Sequence, residues 1–175
     1  MTAIPDNDPA TTKSTEQSQP VITRSQITWR GERLFDAGPL GRTHRIDGHA
    51  KQAPGPVETL LNALAACSSV DVIAILGKRR TPVDEFAVEL AAERRPELPR
   101  RVRRLDIEFR IRGAGITRED AERAIHLALE RYCSVASSLS PDIMTHAQLT
   151  LNGESFPPVQ LRPWVPPDRG HPAAV

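Results

Sequence analysis

Cysteine is scarce in this chain, and the acidic and basic charges almost cancel. Two cysteines occur in 175 residues, and 23 Lys and Arg stand against 22 Asp and Glu, which leaves a net charge of +1. This balance excludes a global electrostatic attraction to nucleic acid or to acidic membranes. The first residues are polar and have no apolar signal-peptide core, so we expect a cytoplasmic protein. A permanent disulfide is not expected there, whereas a catalytic or redox-cycling cysteine pair stays open.

Several common catalytic and cofactor-binding motifs are also missing. The sequence has no Gly-x-Ser-x-Gly, no phosphate-binding loop and no dinucleotide fingerprint. Its five histidines and two cysteines do not show the spacing of a zinc site with three or four ligands. We therefore expect neither a bound metal nor a bound organic cofactor.

The pattern of the chain predicts one domain between two tails. Residues 1–20 are rich in Ser, Thr, Pro, Asp and Gln and are predicted to be disordered. Residues 153–175 are rich in Pro and are predicted to form an extended tail. Between them, residues 21–152 show three short strands, a long helix, two strands, a second helix and a last strand. This order predicts an α+β fold with mainly antiparallel sheet.

The most apolar segment is LLNALAACSSVDVIAIL, from Leu60 to Leu76. It follows the break APGP, and because proline suits a first helical turn, a helix is predicted over Val57–Arg80. The segment contains polar residues and is slightly short to span a bilayer. Since it is apolar almost all round, we expect the buried central helix of a soluble domain and no membrane association.

The two cysteines lie in different local settings. Cys67 lies inside the long helix among small residues, AACSS, and this setting alone favours a structural role. Asp71, four residues later, would oppose a thiolate at Cys67, and it is expected instead to bond to the backbone or to an arginine. Cys133 lies in YCSVASSL, between the second helix and a predicted short helix. At the N-terminus of that short helix, the dipole and the free N–H groups would stabilise its thiolate.

Two segments together resemble the OsmC/Ohr family of osmotically induced and organic hydroperoxide resistance proteins. GPVETLLNALAACSSVDVIAIL is similar to the central-helix motif of that family, and GITREDAERAIHLALERYCSVASSL is similar to its second cysteine motif. The resemblance covers residues 22–152. It implies an α+β fold that forms an intertwined homodimer, with a buried central helix and two active sites at the subunit interface.

The resemblance also implies a function for both cysteines. In the peroxidase members of the family, the residue that matches Cys67 attacks an organic hydroperoxide and becomes a sulfenic acid. The residue that matches Cys133 then resolves it as a disulfide, in agreement with the general chemistry of cysteine oxidation. An external dithiol, lipoyl-type in the hydroperoxide-resistance branch, restores both thiols. An apolar pocket beside the helix would suit a fatty or aromatic hydroperoxide.

In the hydroperoxide-resistance branch, a glutamate and an arginine activate the first thiolate. The resemblance places Glu58 in the first role and Arg30, in the first hairpin, in the second. Other arginines that compete for this role are Arg33, Arg42 and Arg45. The acid follows the proline directly in that branch, whereas Val57 intervenes here, which is more similar to the less characterised branches.

Helical geometry limits what Glu58 can do. Nine residues of helix rise about 13.5 Å and turn about 900°, which places the Glu58 and Cys67 side chains on opposite faces. Glu58 is therefore expected to serve the thiol of a second subunit or to cap its own helix.

Two other functions stay open at this point. The chain would be a non-enzymatic OsmC-like dimer, acting in a stress response or in small-molecule binding, if the cysteines do not turn over. It would be an acyl- or thioester-handling enzyme if His126 or His146 acts as a base for Cys67.

Overall fold

The computed structural model describes residues 21–161, which form two sheets and a set of helices. Sheet A contains three strands in sequential antiparallel order: β1 (Gln26–Trp29), β2 (Leu34–Gly38) and β3 (His44–Asp47). Sheet B contains five strands: β4 (Glu85–Arg94), β5 (Val102–Arg112), β6 (Met144–Leu151), β7 (Glu154–Ser155) and β8 (Val159–Leu161).

The helices lie between and after these strands. The long helix connects the two sheets, and the other helical segments connect β5 to β6. They are α1 (Pro56–Lys78), α2 (Arg118–Leu127), a π-helical turn (Ala128–Tyr132) and α3 (Ser134–Ser137).

Most strand pairs are antiparallel, and one is parallel. β4 and β5 form a long antiparallel hairpin. β5 and β6 are parallel, with Leu105 opposite Thr145 and Phe109 opposite Leu149. Parallel neighbours need a crossover connection, which α2, the π-helical turn and α3 supply here. The predicted α+β class with mainly antiparallel sheet is confirmed.

One face of sheet B forms the core. Apolar and charged residues alternate along β5, and the apolar ones, Leu105, Ile107, Phe109 and Ile111, are at most 2% exposed. The helices α1 and α2 cover this face, and their buried residues belong to the same apolar cluster. The opposite face of β5 carries charged side chains that pair with neighbouring residues, such as Arg104 with Asp106. The division of sheet B into a core face and a solvent face thus follows from the alternation of apolar and charged residues along β5.

Helix α1 buries one stripe within the chain. Leu64, Ser68, Val72 and Leu76 recur every four residues and are at most 2% exposed. The sequence predicts burial all round, but in the single chain the opposite face is apolar and exposed. By length and composition alone, α1 is also the one helix in the described part of the chain that could cross a membrane. Core helices of soluble proteins meet the same criterion, so this composition does not decide the environment of α1.

A buried carboxylate organises the turn that leads from sheet A into α1. Asp47, at the end of β3, is 3% exposed and accepts hydrogen bonds from the backbone N–H groups of His49, Lys51 and Gln52. These bonds hold the pKa of Asp47 below its ordinary value. The backbone N–H of Asp47 also donates to the carbonyl of Pro54 at 3.0 Å. One side chain therefore fixes the direction in which α1 begins.

The strand pairing continues past residue 152. β7 and β8 both pair with β6, and β8 aligns Leu161 with Thr145. Leu161 is 5% exposed and belongs to the core. The structure thus orders the first residues of the segment predicted as a proline-rich tail. The predicted tail over residues 1–20 and the rest of the C-terminal tail lie outside the described residues.

Candidate functional site

The structure brings Cys67 of α1 together with Cys133, 66 positions later in the chain. Both are free thiols; Cys67 is half-buried, whereas Cys133 is 2% exposed. Burial raises the pKa of the Cys133 thiol to about 11, and the hydrogen bond and the charge of Cys67 act in the same direction. A hydrogen bond that raises the pKa of Cys133 is one in which the Cys133 thiol donates its proton to the Cys67 sulfur. Cys133 is therefore protonated at neutral pH and faces Cys67.

A π-helical turn positions Cys133. The backbone N–H of Cys133 donates to the carbonyl of Ala128, five residues earlier, at 2.8 Å. This wider turn ends the helical segment that starts with α2, and Cys133 then adopts an extended backbone with φ −67° and ψ 105°. Such turns are common at functional sites because they redirect the following residue. Here the redirected residue is the N-cap of α3.

The cap position does not make Cys133 a thiolate. Its Sγ accepts a hydrogen bond from the backbone N–H of Ala136 at 3.3 Å, as predicted for a cysteine at a helix N-terminus. This contact lowers the pKa of Cys133, but burial raises it by more. The helix N-terminus therefore acts on the Cys133 thiolate in the predicted direction, but burial outweighs it and the net pKa is raised. The sequence shows the helix N-terminus but does not show how deeply Cys133 lies beneath it.

The hydroxyl groups next to Cys67 are satisfied by the helix itself. Ser68 is fully buried and donates to the carbonyl of Leu64 at 2.9 Å, and Ser69 donates to the carbonyl of Ala65 at 2.6 Å. Such bonds to a preceding turn are usual for serine within helices. The serines therefore keep α1 free of unpaired hydroxyls near Cys67.

Glu58 caps its own helix. Its Oε2 accepts a hydrogen bond from the backbone N–H of Gly55 at 2.7 Å, which satisfies a group at the start of α1. The helix continues without a break from Pro56 to Lys78, so Glu58 and Cys67 of one chain lie on opposite faces. The structure thus places Glu58 away from the thiol of its own chain.

Arg30 is held by a carboxylate in sheet A. Its Nε donates to Oδ2 of Asp36 at 2.7 Å, and Arg45 binds the other oxygen of the same carboxylate at 3.1 Å. These hydrogen bonds hold the pKa of Asp36 below its ordinary value, and the bond from Arg30 has the larger effect. The structure pairs Arg30 with Asp36 and does not bring it to Cys67 within one chain.

The two histidines proposed as bases have other neighbours. His126 Nδ1 lies 3.9 Å from Glu130 on the α2 surface. His146 Nδ1 lies 3.4 Å from Asp106 on the solvent face of sheet B. Within the described range, residues 21–161, neither imidazole is paired with a cysteine. This arrangement does not support the thioester hypothesis.

Two cavities lie along α1. The first is apolar, has a volume of about 50 Å³ and lies between Leu64 of α1 and Ala136 of α3. One water molecule needs about 10–15 Å³ of a volume measured in this way, so the space holds a few water molecules and is too small for an organic hydroperoxide without rearrangement. The apolar pocket expected beside the helix is therefore present only as a small cavity.

The second cavity is an open groove of about 380 Å³ between α1 and α2, named the α1–α2 groove below. Apolar and charged side chains line it together: Asp71, Ala74, Ile75, Lys78, Arg79, Asp120, Arg123, Leu127 and Tyr132. The sequence prediction missed this groove, because its two walls are about 50 positions apart in the chain. Helical spacing could have indicated its first wall, because Asp71, Ile75 and Lys78 follow Cys67 at intervals that place all four residues on one face of α1.

Comparisons with known proteins agree with the fold and the two motifs. Residues 48–146 match the family model described as OsmC-like protein. The chain is 35% identical to Protein YhfA of Escherichia coli (strain K12) over 128 residues, which is 71% of this chain and 95% of YhfA.

Solved structures show the same fold at lower identity. A hypothetical protein from Aquifex aeolicus VF5 aligns with a TM-score of 0.70 and 22% identity, over 76% of this chain and 98% of that one. The organic hydroperoxide resistance protein OhrB of Bacillus subtilis aligns with a TM-score of 0.50 and 16% identity, over 74% of this chain and 98% of OhrB. On the strength of the family model and of YhfA, the chain belongs to the OsmC-like protein family.

Proposed function

We propose that this protein is a thiol-dependent peroxidase that reduces organic hydroperoxides with Cys67 and Cys133. The observation that carries the proposal is the pairing of a half-buried Cys67 with a buried Cys133 whose pKa is about 11. Thiolate is the nucleophilic form of cysteine, and at pH 7 only about one in ten thousand Cys133 side chains would be ionised. Cys67 is therefore assigned the first attack, and Cys133 the second.

The reaction balances with these two groups and an external dithiol. The Cys67 thiolate attacks the terminal oxygen of ROOH, the O–O bond breaks, and Cys67 becomes a sulfenic acid while the alkoxide leaves and takes a proton to form ROH. The Cys133 sulfur then attacks the Cys67 sulfur and expels water, which forms a disulfide. An external dithiol, for which a lipoyl-type compound is the proposed class, reduces the disulfide and is itself oxidised.

The same proposal includes a homodimer, because two apolar surfaces have no partner among residues 21–161. In sheet A, Ile27 and Trp29 project from one side of β1 and are 66% and 65% exposed. On α1, Val70 and Ile73 are 69% and 44% exposed. Contiguous exposed apolar surface of this kind marks an interaction site in soluble proteins. A second subunit that covers both surfaces would bury Val70 and Ile73 of α1 together with Ile27 and Trp29 of sheet A.

Within this dimer, Glu58 and Arg30 are proposed to act across the interface. Both lie away from Cys67 of their own chain, Glu58 on the opposite face of α1 and Arg30 in sheet A. Any help to the thiolate must then come from the other subunit. Release of Arg30 from Asp36 or of Glu58 from Gly55 would be needed for either to act.

Peroxide turnover tests the proposal. With cumene hydroperoxide and dihydrolipoamide, the protein is expected to consume peroxide catalytically, and Cys67→Ser is expected to abolish the reaction. Cys133→Ser should keep the first attack and accumulate a Cys67 sulfenic acid that dimedone traps. Folded protein that consumes no peroxide, or a Cys67→Ser variant as active as the original, would contradict the proposal.

A second candidate function is a non-enzymatic small-molecule-binding dimer. The observation that favours it is that Glu58 and Arg30 are both engaged within their own chain, at 2.7 Å in each case. Under this hypothesis Cys67→Ser leaves ligand binding intact and no dimedone adduct forms in the Cys133→Ser variant. The trapping experiment therefore separates the two functions.

A further inference from the structure

We propose that the α1–α2 groove is a binding site for an organic anion, with the apolar body of the ligand toward the thiol pair and its charged group at the far end. The groove volume of about 380 Å³ is within the range of small-molecule sites. The proposal does not depend on peroxidase activity. It concerns which molecules can lie along α1 in the turns that follow Cys67.

The first wall of the groove is a direct continuation of the Cys67 face of α1. Asp71, Ile75 and Lys78 lie four, eight and eleven residues after Cys67, so they share its side of the helix. Lys78 lies about 16 Å beyond Cys67 along the axis. Because helical side chains lean toward the N-terminus, its ammonium group extends back toward the thiols.

The second wall comes from α2 and the π-helical turn. Leu127 and the ring of Tyr132 provide apolar surface opposite Ala74 and Ile75. Tyr132 immediately precedes Cys133 and is 52% exposed. Both walls thus carry apolar side chains toward the thiol end of the groove, where α1 also contributes the acidic Asp71.

Cations gather at the other end. Lys78, Arg79 and Arg123 all line the groove. Arg79 is committed to Asp120, with 2.5 Å between its Nη2 and the carboxylate. Across residues 21–161, Lys78 and Arg123 have no ion pair and remain able to bind an anion.

Asp71 sets the direction of the ligand. It is half-buried at the thiol end of the groove, one turn after Cys67. A carboxylate there repels a second anion, whereas Lys78 and Arg123 attract it at the opposite end. The charges therefore orient the ligand with its neutral end toward Cys67.

Octanoate and 1-octanol are suitable probes, since they share a chain length and differ in charge. We expect octanoate to bind about tenfold more tightly than 1-octanol by calorimetry, because a charge-assisted contact supplies about that factor. Octanoate should also slow the alkylation of Cys67 by iodoacetamide, measured by peptide mass spectrometry.

Variants locate the site. Lys78→Gln combined with Arg123→Gln should remove the preference for octanoate and leave 1-octanol binding unchanged. Arg95→Gln combined with Arg100→Gln is the matched control, since it removes the same charge from exposed residues of the β4–β5 hairpin. Asp71→Asn should strengthen octanoate binding about two- to fivefold.

Two results would overturn the proposal. One is that octanoate binds no more tightly than 1-octanol, which includes the case that neither binds because the second subunit fills the groove. The other is a Lys78→Gln/Arg123→Gln variant that keeps the preference of the original protein. Neither result bears on peroxide turnover, so the proposed function is tested separately.

Discussion

The buried Cys133 thiol lies against Cys67, and burial together with that neighbour raises its pKa to about 11. The relationship is asymmetric, because Cys67 is half-buried whereas Cys133 is almost inaccessible. A protonated Cys133 can donate a hydrogen bond to a Cys67 thiolate and can later give up its proton when it attacks a sulfenic acid. The asymmetry is the physical basis for assigning an attacking and a resolving cysteine.

The titration of Cys133 tests this asymmetry. In a Cys67→Ser variant the pKa of Cys133 should fall below the value of about 11 but remain above the ordinary 9.0, because burial is its largest cause. The ultraviolet absorbance of the thiolate, followed against pH, measures it. A midpoint at or below the ordinary value would show that the helix N-terminus outweighs burial.

The carboxylate of Asp47 should make stability depend on pH. Its pKa is lowered in the folded state by three backbone N–H donors, so the stability that it contributes is present above the unfolded pKa and is lost as pH falls through the folded one. Asp47→Asn should therefore lower the urea midpoint at neutral pH, and its difference from the original protein should shrink on acidification.

The matched control for this experiment is Asp84→Asn, since Asp84 is an exposed carboxylate. It should change the urea midpoint little at either pH. An Asp47→Asn variant whose deficit is the same at acid and neutral pH would disprove the electrostatic account of the turn.

Mixed dimers test whether Glu58 acts in the second subunit. A Glu58→Gln homodimer should lose activity, and mixing it with Cys67→Ser subunits should restore it. In the mixed dimer, the intact Cys67 of one chain meets the intact Glu58 of the other. Peroxide turnover after mixing at equal concentrations measures the effect. A mixture no more active than the separate variants would rule out action across the interface.

The exposed face of α1 should control assembly. Ile73→Glu places a charge on that face, where Ile73 is 44% exposed in the single chain, and should convert a dimer into a monomer of 19.3 kDa. Light scattering coupled to gel filtration measures the mass. Leu98→Glu is the control, because Leu98 is 86% exposed at the β4–β5 hairpin tip and away from that face. If both variants remain dimeric, the interface lies elsewhere.

Much of the fold could be predicted from local periodicity. The alternation of β5 and the cap at Thr117, whose hydroxyl accepts from the backbone N–H of Asp120, are both local signals and both are observed. The exposed side of α1 could not be predicted in this way. An apolar residue such as Val70 is compatible with burial by its own chain and with burial by another chain, and the sequence does not distinguish the two.

The sequence indicated the two cysteines that the structure brings together, but not their electrostatics. Two cysteine motifs identified Cys67 and Cys133, yet the raised pKa of Cys133 depends on burial produced by segments distant in the chain. The capping role of Glu58 followed from its position in the first turn. Its position on the opposite face of α1 from Cys67 followed from the rise and rotation of an α-helix alone. The partnership of Arg30 with Asp36 required the register of β1 against β2.

The most direct measurement is the mapping of disulfides after one equivalent of cumene hydroperoxide has been added to the reduced, folded protein. The account predicts that both thiols disappear together and that peptide mass spectrometry finds a Cys67–Cys133 disulfide, which dihydrolipoamide reverses. If both thiols remain free while the hydroperoxide is unconsumed, the account of a two-cysteine peroxidase is wrong.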